Sequence, residues 1–263
     1  MAKVIAVMNE KGGVGKTATA TTLAYLLAKQ ESKVLLIDFD GQGHASIIGG
    51  IANPNKQQIT ISTLINKVIQ EEELPSPEEY IYQNANGVDL IPANSSLFVL
   101  ERNLCNVDFR ETKLLEVIQT LKPLYDYIII DCMPQIGTPM INVMMCADSI
   151  IIPTQAELLS AQGLSELLKH YKSLQKNNNH SHLKIEGILV TMDSAHTLVS
   201  AHVNAMIDST FGGHIPIFKT RIPRSIKVAE ASMYQKTICE YAPTNAAAIA
   251  YENFVKELIE NGI

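Results

Sequence analysis

Lys3-Val4-Ile5-Ala6-Val7-Met8-Asn9-Glu10-Lys11-Gly12-Gly13-Val14-Gly15-Lys16-Thr17 is the stretch from which the rest of the chain is read. The β-branched apolar run 3–8 predicts a strand, and the Ala-, Leu- and Thr-rich segment 16–29 predicts a helix. Between them, glycines at 12, 13 and 15 let backbone N–H groups turn inward, and the helix N-terminus adds its dipole. Such a turn cradles phosphate. Gly12, Gly13, Val14, Gly15 and Ala18 are the expected nucleotide-phosphate contacts. Lys16 is placed to neutralise the β and γ phosphates, and the Thr17 hydroxyl to ligate Mg²⁺. An ordinary phosphate loop has glycine where this chain has Glu10, and its next position, Lys11 here, tolerates any residue.

Working outward, the same theme recurs: a short apolar run followed by a longer segment of helical spacing. Strands are expected at 3–8, 33–38, 88–92, 127–131, 149–153, 185–191 and, shorter, 215–220. Helices are expected at 16–29, 61–70, 111–121, 139–146, 163–175, 198–211, 226–234 and 246–261. Most strands carry apolar residues consecutively, as strands covered on both faces do. The prediction is an α/β fold, a doubly wound, mostly parallel sheet with helices on both faces, built as one domain over residues 1–263. Residues 71–87, with five glutamates and no lysine or arginine, and the Asn/His/Ser-rich 176–182 read as surface loops.

Apolar residues make up 46% of the chain and charged residues 18%, which excludes general disorder. With a net charge of −6, attraction to phosphate backbones or anionic lipid requires a local basic patch. The N-terminal apolar run is too short for a secretory signal and no stretch suits a membrane span, so a cytoplasmic location is expected. Cys105, Cys132, Cys146 and Cys239 are spaced too widely for a zinc site or a disulfide framework, and read as buried thiols.

Two more acidic signals fall at strand ends. The second strand closes on Asp38-Phe39-Asp40-Gly41-Gln42-Gly43-His44. Strand C-termini in this fold face the phosphate crevice, so Asp40 is assigned to orient or activate water, and Asp38 to anchor Mg²⁺ waters or the loop itself. Tyr127-Ile128-Ile129-Ile130-Asp131 ends on the aspartate expected to hold Mg²⁺ through a water.

The loop Lys11-Gly12-Gly13-Val14-Gly15-Lys16-Thr17 resembles that of the deviant Walker A ATPases. Longer strings, Ala147 to Thr154, Glu186 to Met192, Thr220 to Ser225 and Ala229-Glu230-Ala231, are similar to the ParA partition ATPases over nearly the whole chain. The resemblance implies an ATP- and Mg²⁺-dependent homodimer in which Lys11 acts catalytically across the interface, much as an arginine finger does. It also implies nonspecific DNA binding, release when a centromere-binding ParB-like partner stimulates hydrolysis, and nucleoid association. Pro223 and Arg224 become adenine-side contacts. Two departures stand out: Gly41 where the family pattern has proline, and His196 where many relatives carry arginine.

Candidate DNA contacts are the basic segments 167–185, with Lys169, Lys172, Lys176 and Lys184, and 216–240, with Lys219, Arg221, Arg224, Lys227 and Lys236. The alternatives are a nucleotide-gated scaffold that positions a protein partner and a MinD-like membrane switch. The terminal segment 251–260 has three glutamates and one lysine, which argues against a membrane-binding helix. An iron-sulfur reductase is disfavoured because Cys132 has no second cysteine in a matching context.

Overall fold

The computed structural model describes residues 1–135, 137–155, 160–177, 182–194, 213 and 215–263. The helix expected at 198–211, His196 and part of the 176–182 loop lie outside them.

The strands are β1 (Lys3–Val7), β2 (Val34–Phe39), β3 (Tyr82–Gln83), β4 (Val88–Ile91), β5 (Tyr127–Cys132), β6 (Ser149–Gln155) and β7 (Lys184–Thr191). They form one sheet in the order β3-β4-β2-β5-β1-β6-β7, with every pairing parallel except the edge pair β3–β4. Strands β1, β2, β5 and β6 are buried almost throughout, which is why their sequences run apolar without alternation.

The helices are α1 (Lys16–Ala28), α2 (His44–Ile48), α3 (Ile61–Ile69), α4 (Pro77–Tyr80), α5 (Leu100–Leu104), α6 (Lys113–Leu121), α7 (Thr138–Cys146), α8 (Ser160–Asn177), α9 (Ile226–Met233), α10 (Ile238–Tyr241) and α11 (Ala246–Glu260). Each sheet face has its own core. Val4 and Ala6 of β1 with Leu35 and Ile37 of β2 pack with residues of α3, α5, α6, α7 and α8. Ile5, Val7, Val34 and Leu36, pointing the other way, pack with α1 and α11. Sequence-adjacent residues thus enter opposite cores, as the period of two demands.

Three expectations need correction. Residues 215–220 make no strand: Ile217 forms one parallel bridge to Ile188, and Pro216, lacking an N–H, contributes only its carbonyl to the Ile188 amide. The 71–87 segment is not all loop, since it holds α4 and β3. Cys105 is exposed rather than buried; it caps the C-terminal end of the short α5, where its thiol donates to Glu101 O. The other three cysteines are buried.

Candidate functional site

Parallel strands bring their carboxyl ends to one edge, and there the site assembles. Asn9 starts the loop after β1. Its Nδ2 donates to Pro153 O at 2.7 Å and to Thr154 Oγ1 at 3.2 Å, while its Oδ1 accepts from Lys11 N at 3.0 Å. Gln155 Nε2 donates to Gly13 O at 2.8 Å, and Thr191 Oγ1 donates to Val14 O at 2.7 Å. The Gly13 and Val14 carbonyls are thus tied to the ends of β6 and β7. Gly13 and Gly15 make the turn at φ +74° and +85°, conformations that disfavour any side chain. No side chain caps α1, so its first amides suit phosphate oxygens.

Lys16 is buried, and its Nζ folds back over the loop to donate to Lys11 O at 2.9 Å. Burial pulls its pKa below the usual lysine range, opposed by the negative fields of Asp131, Cys132 and Asp40. Asp38 and Asp131 are neighbours in the register of β2 and β5, and both are buried. Asp38 is saturated: Oδ1 accepts from Asp40 N at 3.1 Å, and Oδ2 accepts from both Ser46 N and Ser46 Oγ at 2.7 Å. Burial raises its pKa to about 6 against those bonds. Of the two roles left open for Asp38, these contacts serve the loop anchor.

Asp131 is the opposite case. Neither carboxylate oxygen has a hydrogen-bond partner of ordinary geometry, although both are buried. Burial, then the like charge of Asp38, hold its pKa well above the carboxylate range; the nearby Thr17 hydroxyl and Lys16 pull the other way. A buried carboxylate beside a threonine hydroxyl has the chemistry to hold a divalent cation. Among the described residues no three His, Cys, Asp or Glu side chains converge on one point. A cation here would rest on Thr17, Asp131 and the phosphates of a nucleotide, the mixed shell that Mg²⁺ favours.

Asp40 is half-buried on the turn after β2, its Oδ1 accepting from Gln42 N at 2.9 Å and its carbonyl from Gly43 N at 2.9 Å. It lines a cavity of about 660 Å³ together with Gly12, Gly13, Gly15, Lys16, Thr17 and Ala18, with Met192, Ala229, Ser232 and Met233 also on its wall. A second cavity of about 320 Å³ shares Gly15, Ala18, Met192, Ala229 and Ser232 with the first and is lined by Pro223 and Arg224. Their segment runs beside the end of β7, with Asp193 N donating to Ile222 O at 2.9 Å and Arg224 N to Asp193 O at 3.1 Å. All the nucleotide-site residues named from the sequence therefore meet at one sheet edge.

Sequence reasoning does not single out Asn9, Thr191, Gln155 or Ser46, although each holds a site element by a side-chain bond. For Asn9, Gln155 and Thr191 the signal is position at or near a strand end; Ser46, inside α2, carries none. Of the basic residues, Lys169, Lys172, Lys176, Lys184, Lys219, Arg224 and Lys236 are exposed and Arg221 and Lys227 half-buried, while Lys169 is paired with Glu166 and Lys227 with Glu230. Among the described residues no helix is long and apolar enough to cross a membrane.

A glycine loop between β1 and α1, a lysine over it and an aspartate at a neighbouring strand end define a P-loop nucleoside triphosphatase. A family model described as an AAA domain matches residues 2–185. The chain is 36% identical over 262 residues to the sporulation initiation inhibitor protein Soj of Bacillus subtilis, covering 100% of both. It is 35% identical over 259 residues to the chromosome partitioning protein ParA of Myxococcus xanthus, covering 98% of this chain and 88% of that one. Among solved structures, cobyrinic acid a,c-diamide synthase from Mycobacterium smegmatis with bound ADP and magnesium superimposes with a TM-score of 0.83 at 28% identity, over 99% of this chain and 95% of the other. The chain belongs to the ParA/Soj-type P-loop ATPases. It is an ATPase, with ATP and Mg²⁺ as its ligands.

Proposed function

We propose that this chain is a partition ATPase whose ATP-bound dimer binds duplex DNA without sequence preference and is released when a ParB-like centromere-binding partner stimulates hydrolysis. The observation that carries this reading is the full-length similarity to Soj and to the chromosome partitioning protein ParA, which extends well beyond the nucleotide site.

Within that reading each side chain has a task. The N–H groups from Gly12 to Ala18 grip the phosphates, and Lys16 balances their charge from within the chain. Thr17 and Asp131 would hold Mg²⁺, and Asp38 anchors the turn that presents Asp40. When bound, Mg²⁺ supplies positive charge to the β and γ phosphate oxygens. Asp40 orients the attacking water, and Pro223 and Arg224 border the adenine. Lys11 completes the site of the second copy, where a cation offsets negative charge developing on the γ phosphate.

One observation favours the scaffold alternative. The chain carries a net charge of −6, and two of its candidate DNA lysines, Lys169 and Lys227, are each beside a glutamate. The discriminating experiment is binding to random duplex DNA with ATP, with ADP and without nucleotide, at two salt concentrations. Phosphate contacts release counterions, so partition predicts ATP-dependent binding that falls steeply with salt. Absence of binding at low salt with ATP would favour the scaffold and overturn the DNA reading.

A further inference from the structure

The turn that carries Asp40 is clamped from outside the nucleotide site. Gly41 is buried, and a Cβ placed on it would lie 2.8 Å from two ring carbons of Phe98 and 2.9 Å from a third. Two residues on, Gly43 takes φ +68°, and its Cβ position lies 3.0 Å from Pro54. The ring of Phe98 therefore fills the space where residue 41 would have a side chain.

Phe98 itself stands on a fixed base. It belongs to the 3-10 turn Ser95–Val99, in which Asn94 caps Ser96 N and Leu97 is buried. Ser95 N donates to Asn55 Oδ1 at 3.1 Å, and Ser62 Oγ bonds to Ser96 Oγ. Yet Phe98 is 51% exposed. An aromatic ring left half in water on an anchored backbone, with its far edge against a glycine, packs for a local purpose.

We propose that Phe98 is a positioning residue for hydrolysis: its ring takes over the work of the proline that the family pattern places at position 41. Proline restrains a turn through its own φ. Glycine gives up that restraint, and a ring pressed on it from across the fold restores it sterically. The inference rests on the reading of Asp40 as the water-orienting group.

The test compares wild type with Phe98→Ala, Phe98→Tyr and the double variant Phe98→Ala/Gly41→Pro, using steady-state ATPase kinetics and hydrogen exchange of the 38–46 peptide. For Phe98→Ala we expect kcat to fall about tenfold with little change in KM, the signature of a misplaced group rather than lost binding. Exchange at the amides of Asp40, Gln42 and Gly43 should speed up, because their acceptors lie on the same turn. Phe98→Tyr should match wild type, and Gly41→Pro should recover most of the loss when combined with Phe98→Ala. Unchanged exchange in Phe98→Ala overturns the clamp itself. Faster exchange with unchanged kcat overturns its role in hydrolysis, and Asp40→Asn then identifies the fault: an active Asp40→Asn means that the Asp40 reading has failed, and an inactive one that Phe98 alone was misread.

Discussion

Asp131→Asn separates the cost of the site from its use. Asp131 keeps two buried oxygens without partners and faces Asp38 across the β2–β5 register, so its charge is a liability until a cation arrives. A buried unsatisfied group costs about 1–3 kcal/mol, and more when charged. Asparagine keeps two buried polar atoms there and removes only the charge, and the variant forfeits the attraction between Asp131 and the buried Lys16, so a small net gain, on the order of 1 kcal/mol, is expected in metal-free buffer at pH 8. For a chain of this size that is a rise of roughly 2–4 °C in Tm.

The pH dependence follows from the sign of the shift. The folded pKa of Asp131 lies above its unfolded value, so the folded state holds its proton longer, and stability declines as pH rises from the unfolded value through the folded one. The decline can reach at most about 1.4 kcal/mol per pH unit for one proton. The advantage of asparagine should therefore be largest at pH 8 and shrink as pH falls, levelling off below about 4, where the Asp131 carboxyl becomes protonated in the unfolded state as well. Adding Mg²⁺ with a non-hydrolysable ATP analogue should reverse the order. Ligand at a hundred times its Kd stabilises wild type by about 2.7 kcal/mol, and the variant should gain much less. Thermal melts in EDTA at two pH values, repeated with Mg²⁺ and the analogue, make the comparison. A lower Tm for Asp131→Asn in EDTA at pH 8, or an equal response to Mg²⁺ and analogue, would refute the reasoning.

Lys11→Ala should leave ATP binding by the single chain intact while nucleotide-dependent dimerisation is lost and stimulated turnover falls at least roughly a hundredfold, the scale of one transition-state donor; light scattering with the analogue and phosphate release check the two halves. Lys16→Ala should abolish ATP binding or hydrolysis outright, read by calorimetry, because it removes the buried cation that lies over the loop. Glu10 is held up to about 7 by burial and by Glu166, against the opposing charge of Lys169. Its ionisation thus costs stability as pH rises from about 4.5 to about 7, and Glu10→Gln should flatten the fall of Tm across that window. A variant whose Tm tracks wild type between pH 5 and 8 would show that Glu10 is not under that strain.

Legibility followed the range of the forces involved. Strands β1, β2, β5 and β6 could be read because burial on both faces writes an unbroken apolar run into each. Helix α1 could be read from its Ala-, Leu- and Thr-rich run directly behind the glycine loop, and α11 because it is long enough to show a period. Helices α2, α4, α5 and α10 have four or five residues, too few for a period, and are held by caps and neighbours. In the site, Lys16, Thr17 and Asp131 were legible because their chemistry is carried by residue type beside a strand or glycine loop. The grips of Asn9 on Pro153, Thr191 on Val14 and Phe98 on Gly41 join positions 57 to 177 residues apart, as the residue numbers give directly, and no local pattern encodes them.

The charge balance at the strand ends makes a physical case for pairing two copies. Asp38, Asp40 and Asp131 lie close enough to influence one another, and Lys16 is the cation whose field reaches Asp131 from the same loop. Two of those carboxyls are pushed towards their neutral forms by burial, so the site already holds more negative charge than it can comfortably ionise. A triphosphate brings further negative charge, which one divalent ion offsets only in part. Each added cation is then worth more here than on a solvated surface, since the low local dielectric magnifies it. A lysine arriving from a second copy would meet a site still short of positive charge, and would leave it once the γ phosphate had gone. Turnover and association are coupled in that picture by electrostatics alone, which is why the Lys11 variant should lose both together.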